Sequence, residues 1–230
     1  MRIAKNVEML EIEDERGVLN SVLVWDDKDV VLLDAGYIDQ LELYAAALGQ
    51  IGFALQDITK VIISHQDLDH TGIAKHLREL GAQIIAHEVE APYIQGDKIS
   101  IRITDMQDRL DELTDDQRRF YDKMVLTSEQ LYVKVDRALR DNEVLDCCGG
   151  IKAIHTPGHL PGHLAVLLLE SNVLFTGDAT NLENGVLVGP SPNYTMDMPL
   201  AQLSVQKMLD TKPQIIVCYH GGFYDNSQNI

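Results

Sequence analysis

Ser64-His65-Gln66-Asp67-Leu68-Asp69-His70 follows directly on the apolar run Val61-Ile62-Ile63. The run is short, β-branched and continuous, so it reads as a strand covered on both faces. His65, Asp67, Asp69 and His70 therefore crowd one loop at the C-terminal end of a strand, where layered α/β proteins place reactive groups. The spacing at 65, 67 and 69 lets three side chains converge on one side of an extended segment. His70 then turns in as a helix begins near Thr71-Gly72. Imidazole and carboxylate are the donors expected for zinc, iron or manganese. Taken alone, the same cluster is also compatible with a solvated polar loop.

Toward the N-terminus, Val7–Ile12 and Val18–Trp25 flank a turn containing Glu15-Arg16-Gly17 and read as a hairpin. Val30-Val31-Leu32-Leu33 reads as a further buried strand, and Asp39–Ile51 carries a helical apolar stripe ending near Gly52. Ile73–Leu80 reads as a helix closed by Gly81, and Gln83–Ala86 as another strand. This alternation predicts a layered α/β architecture.

Residues 97–140 differ. Met106, Leu110, Leu113, Phe120 and Met124 recur at helical spacing, and the stretch holds ten acidic and nine basic residues, so most of the net charge lies outside it. It reads as about two helices inserted between strands, serving as core helices, a lid or a dimer contact. Strand patterns return at Ile151–His155, Leu164–Leu169, Val173–Phe175 and Ile215–Cys218, with a helix over Leu200–Leu209.

Three later loops carry the same chemistry as the first. His155-Thr156-Pro157-Gly158-His159-Leu160-Pro161-Gly162-His163 is a turn stiffened by proline and bearing three imidazoles. Thr176-Gly177-Asp178 and Tyr219-His220-Gly221-Gly222 each follow a strand. Four strand-terminal loops delivering acids and imidazoles are hard to explain without a metal. His163 reads as a hydrogen-bonding support of its turn, His155 as a core group or a support behind the ligands, and His87 as either facing the site or packing at a helix start. Tyr194, Tyr219 and Tyr224 read as core or rim residues, with oxyanion donation as the alternative.

Composition narrows the function classes. The net charge of −17 over 230 residues repels phosphate backbones, so a small molecule is the expected partner and nucleic acid is not. The longest apolar runs fall far short of the roughly 20 residues that span a bilayer, so no membrane partner is expected. Met1–Asn6 has no leader-like pattern, and a cytoplasmic location is the expectation. Cys147, Cys148 and Cys218 form no disulfide pattern and read as buried inert thiols.

Taken in order, Leu33-Asp34-Ala35-Gly36, Ser64-His65-x-x-x-Asp69-His70, Thr156-Pro157-Gly158-His159, Thr176-Gly177-Asp178 and His220 resemble the metallo-β-lactamase superfamily over most of the chain. The resemblance implies a four-layer αββα sandwich, one domain over 1–230 with the helical insertion at about 97–140. It also implies two divalent ions at one edge of the sheets, zinc first, with manganese or iron as alternatives. By position, His65 and His159 belong to the first ion, Asp69, His70 and His220 to the second, and Asp178 bridges. Asp34 steadies the histidine loop from behind the ligands. One departure stands out: Asp67 occupies a position where the family usually has histidine. It either ligates directly, which favours harder ions, or stands off and holds a water.

The implied activity is hydrolysis, with a metal-bridged hydroxide attacking the carbonyl of a small thioester, lactone or ester and Asp69 accepting the proton. Two alternatives stay open. A carboxylate at 67 also resembles flavodiiron oxidoreductases, and a non-catalytic metal-binding sensor would need the same donors. A homodimer through the insertion is a further expectation.

Overall fold

The structure is a computed structural model and describes residues 1–227. Seven strands lie side by side in chain order: β1 (Arg2–Ala4), β2 (Val7–Asp14), β3 (Gly17–Trp25), β4 (Val30–Leu33), β5 (Lys60–Ile63), β6 (Gln83–His87) and β7 (Arg137–Leu139). The first four pair antiparallel, and β4 through β7 pair parallel. A second sheet has six strands. These are β8 (Val144–Leu145), β9 (Ile151–His155), β10 (Leu164–Leu168), β11 (Val173–Phe175), β14 (Ile215–Cys218) and β15 (Gly222–Asp225), adjacent in that order. Between β11 and β14 the chain adds a small ribbon, β12 (Asn181–Glu183) with β13 (Val186–Val188), which the apolar pattern does not signal.

Alternation within each strand shows how the layers assemble. In β10, Leu164, Val166 and Leu168 join the core shared with the first sheet, while Ala165 and Leu167 pack in a second cluster with Met208 of helix α7 (Met198–Leu209). In β11, Val173 and Phe175 face inward and Leu174 outward; in β14, Val217 and Ile216 divide in the same way. Both faces are covered, which is why these strands read as unbroken apolar runs. On the first sheet, α1 (Leu41–Gln50) buries Tyr44 and Leu48, and α3 (Ala74–Glu79) buries Ala74 and Leu77. The result is the αββα sandwich expected from the sequence.

The stretch 97–140 departs from its reading at one end. Helices α5 (Ile101–Gln107) and α6 (Asp115–Leu131) follow the short α4 (Ala91–Ile94), but Arg137–Leu139 is the edge strand β7, parallel to β6. Ile103, Met106 and Met124 form the core of the two inserted helices, with Leu68 of the ligand loop packed against them. Among the described residues, no helix is long and apolar enough to cross a membrane.

Candidate metal centre

Strand direction gathers the ligand loops. β4 and β5 run parallel, as do β11 and β14, so Asp34, the 64–70 loop, Asp178 and His220 emerge along one edge of the sandwich. β9 pairs antiparallel with β10 and β10 with β11, which brings the 156–163 loop to the same edge.

The first loop is not extended through residue 69. Asp67 is the N-cap residue of a single helical turn, α2 (Leu68–Thr71), so Asp69 and His70 lie inside the turn rather than before it. The turn parts the carboxylates. Asp67 goes to one set of donors with His65 and His159, and Asp69 to another with His70 and His220. A third grouping, His65 with His70 and Asp178, joins the two.

Distances define two halves. In one, Asp67 Oδ2 lies 3.2 Å from His65 Nε2 and 3.4 Å from His159 Nε2. In the other, Asp69 Oδ2 lies 3.3 Å from His220 Nε2 and 3.6 Å from His70 Nε2. Asp178 straddles them: Oδ1 is 3.3 Å from His70 Nε2 and 3.4 Å from His220 Nε2, and Oδ2 is 3.6 Å from His159 Nε2. Among the described residues, His70 Nε2 and Asp178 Oδ1 are buried without a hydrogen-bond partner, as is His159 Nδ1, the ring nitrogen that does not face Asp67. The field asks for positive charge. Burial disfavours an imidazolium at His70, but Asp69, Asp34 and Asp178 outweigh it and hold the pKa well above the ordinary value. Burial likewise opposes charge on His220, yet the neighbouring carboxylates of Asp178 and Asp69 push its pKa up to about 10.

Behind the donors, Asp34 accepts from Ser64 N at 2.7 Å, Ser64 Oγ at 2.6 Å and His70 Nδ1 at 2.7 Å. With its proton given to Asp34, the Ser64 hydroxyl accepts from His65 Nδ1 at 2.9 Å. With Nδ1 of each ring committed to these hydrogen bonds, Nε2 is the atom left facing the cluster. His163 is turned to support: Nδ1 meets Thr156 Oγ1 at 2.8 Å, and Nε2 accepts from the Asp178 backbone N–H at 3.1 Å. Gly177, at φ +51°, makes that last contact feasible, because a Cβ there would stand 2.8 Å from His163 Nε2.

Two participants escaped the sequence reading. Glu90, fully buried before α4, accepts from Gln66 N and Gly162 N, both at 3.0 Å, and so ties two ligand loops together. Arg102, on inserted helix α5, lays its guanidinium against Asp67 and His159. No periodicity marks either residue. Arg102 is one of nine basic residues in the insertion, and Glu90 precedes a helix of only four residues.

Tyr219, His87 and His155 are engaged by the protein itself. Tyr219 is fully buried, donating to the Asp69 carbonyl at 2.5 Å and accepting from Gly36 N at 3.2 Å, so its hydroxyl is committed. His87 stacks on His155 at 4.0 Å, and His155 Nε2 bonds the Pro161 carbonyl at 2.9 Å. All three cysteines are free and buried. Over the donors opens a cavity of about 550 Å³, walled by Asp67, Asp69, Asp178 and His220, by Phe120 and Met124 of α6, and by Tyr37, Leu182 and Tyr194.

A sandwich whose edge collects imidazoles and carboxylates in two adjoining sets is the architecture of a metal-dependent hydrolase. Residues 15–220 match the sequence model of the metallo-beta-lactamase superfamily, and the chain belongs to that family. It is 27% identical to the protein YobT of Bacillus subtilis, over 89% of this chain and 84% of that one. It is 22% identical to the hydroxyacylglutathione hydrolase GloC of Haemophilus influenzae, over 89% of this chain and 86% of the relative. Among solved structures, the metallo-beta-lactamase family protein TTHA1429 from Thermus thermophilus superimposes with a TM-score of 0.77 at 22% identity, covering 99% of this chain and 77% of that one.

Proposed function

We propose that the chain hydrolyses the acyl bond of a small thioester, lactone or ester, using divalent ions held by His65, Asp67, Asp69, His70, His159, Asp178 and His220. One observation carries this most: His70 Nε2 and Asp178 Oδ1 stand 3.3 Å apart, buried and unpartnered among the described residues, beside a cavity of about 550 Å³. Unsatisfied polar atoms in such a place are costly unless a cation meets them. The donor set, imidazole and carboxylate without thiolate, suits zinc first and manganese or iron after it. His65, Asp67 and His159 supply the donors for the second ion of the dinuclear form.

Divalent ions held by these donors would polarise a carbonyl and would lower the pKa of bound water toward neutrality. Asp69 lines the cavity, and in this reading it takes up the proton. Phe120 and Met124 offer apolar surface to the acyl group and keep bulk water away from it. Asp67, the residue that raised the flavodiiron-like alternative, is engaged by Arg102, which leaves hydrolysis the better-supported chemistry. The likeness to a relative named for hydroxyacylglutathione hydrolysis points the same way. The acidic cavity wall and the net charge of −17 favour a small molecule over nucleic acid.

Chelator-stripped protein reloaded with zinc, manganese or iron should turn over at least one of an acyl-glutathione, a γ-lactone and a p-nitrophenyl ester. His70→Ala and Asp178→Ala should lower that rate by at least about a hundredfold. Metal-loaded protein inert toward all three, or rates untouched by either substitution, would overturn the reading.

A further inference from the structure

The two halves of the centre differ in what already fills them. Arg102 Nε donates to Asp67 Oδ1 at 2.6 Å and Oδ2 at 2.7 Å, and Nη2 lies 2.5 Å from Oδ2. Nη2 also donates to His159 Nε2 at 2.8 Å, and Nη1 to the Tyr194 carbonyl at 2.9 Å. The side chain is only 13% exposed. It is held from behind, because Ile103 and Met106 of the same helix pack with Met124, and Ile101 N donates to Gln66 Oε1 at 3.3 Å. In the other half, His70, His220, Asp69 and Asp178 face one another, and among the described residues no lysine or arginine is bonded to them.

An unprotonated imidazole nitrogen has one lone pair. The Arg102 N–H uses that of His159 Nε2, and an ion ligated by His159 needs the same one. The two also compete for Asp67 Oδ2. Arginine stays charged at any working pH, so it cannot relieve the conflict by giving up a proton. Arg102 already supplies one positive charge, so a single divalent ion with it matches the three charges of Asp67, Asp69 and Asp178.

We propose that Arg102 is a built-in cation for the His65–Asp67–His159 half, so that the chain takes its first ion at Asp69, His70, His220 and Asp178 and a second only by displacing the guanidinium. Resting on the metallohydrolase reading above, this makes the two ion sites unequal by construction. It also gives the inserted helix a direct hand in metal loading. When the second ion enters, Arg102 must release His159 Nε2 and Asp67 Oδ2, the two atoms that both cations use.

The test is a cobalt(II) titration of the stripped full-length protein, read by visible absorption and by elemental analysis of the bound metal. Wild type should bind one ion tightly and a second at least about tenfold more weakly. Arg102→Met should tighten the second step by at least about tenfold and leave the first within about threefold. Arg102→Lys, which keeps the charge but not the planar fork, should fall between the two. Two equally tight ions in wild type, or a second step unmoved in Arg102→Met, would overturn the proposal while leaving the hydrolase reading intact. The wild-type titration decides this even if the methionine variant fails to fold. No retained ion in either protein would sink both.

Discussion

Asp34 is fully buried at φ +58°, a left-handed conformation uncommon outside glycine. The strain is held because three donors converge on its carboxylate, two from Ser64 and one from His70. Asp34→Ala strands those donors in the interior, at about 1–3 kcal/mol each, and releases the His70 ring. Zinc affinity measured by competition with a chelating dye should fall about 10- to 100-fold; an unchanged affinity would show that His70 is oriented by something else. Glu90 gives a pH signature. Burial first, and then the charge of Asp67, raise its pKa from 4.5 to about 7. Because the folded state binds this proton more tightly, the Glu90 contribution to stability is fully present below about 4.5 and is lost as pH rises toward 7, by up to about 3 kcal/mol. Glu90→Gln cannot ionise and lacks that loss. The stability of metal-free wild type relative to the variant should therefore decline between pH 4.5 and 7 in urea unfolding, and a constant difference would contradict the assignment.

At the scale of elements, α2 matters for its position more than its length. Its single turn sends Asp67 and Asp69 into different halves of the centre, and Gly72 closes it against the loop after β4. Gly72 N donates to the Gly36 carbonyl at 2.7 Å, and a Cβ at 72 would lie 2.0 Å from the backbone carbon of Tyr37. Backbone cannot swing aside as a side chain does. Gly72→Ala should cost about 3 kcal/mol in chemical denaturation and weaken metal binding with it, since Asp34 and His70 sit on the two strands of chain forced apart. A variant as stable as wild type would mean that the loops separate freely. The inserted helices show how a neutral-charge stretch acquires a role. Its apolar stripe packs Met124 with Ile103 and Met106, and that packing delivers Phe120 to the cavity and Arg102 to Asp67.

For the molecule as a whole, Asp67, Asp69 and Asp178 meet at the edge where both sheets end, and in the metal-free protein Arg102 and the imidazoles of His70 and His220 supply the positive charge beside them. Zinc at about a thousand times its dissociation constant should stabilise the fold by about 4 kcal/mol, a rise of roughly 10 °C in Tm for a chain of this size. A chelator should reverse the shift. A Tm indifferent to both zinc and chelator would mean that the donors are not preorganised in the fold. The ligands come from loops that hang on both sheets, so metal binding clamps the sandwich rather than one layer of it.

Much of this was legible in the chain itself. Unbroken runs such as Val61-Ile62-Ile63 and Leu164–Leu168 announce strands covered on both faces, because water is absent from either side of them. His65, His70, His159, Asp178 and His220 stand in loops that follow strands, and Asp34 contacts His70 Nδ1. Arg102 and Glu90 left no such mark. Periodicity records which face of an element is buried, whereas their roles depend on which distant loops an insertion meets, 35 residues away for Arg102 and Asp67 and 72 for Glu90 and Gly162. The parting of Asp67 from Asp69 was likewise decided by one turn of helix and the packing around it. A run of sequence specifies the imidazoles and carboxylates; only the folded chain decides which of them face one another and which of them face Arg102.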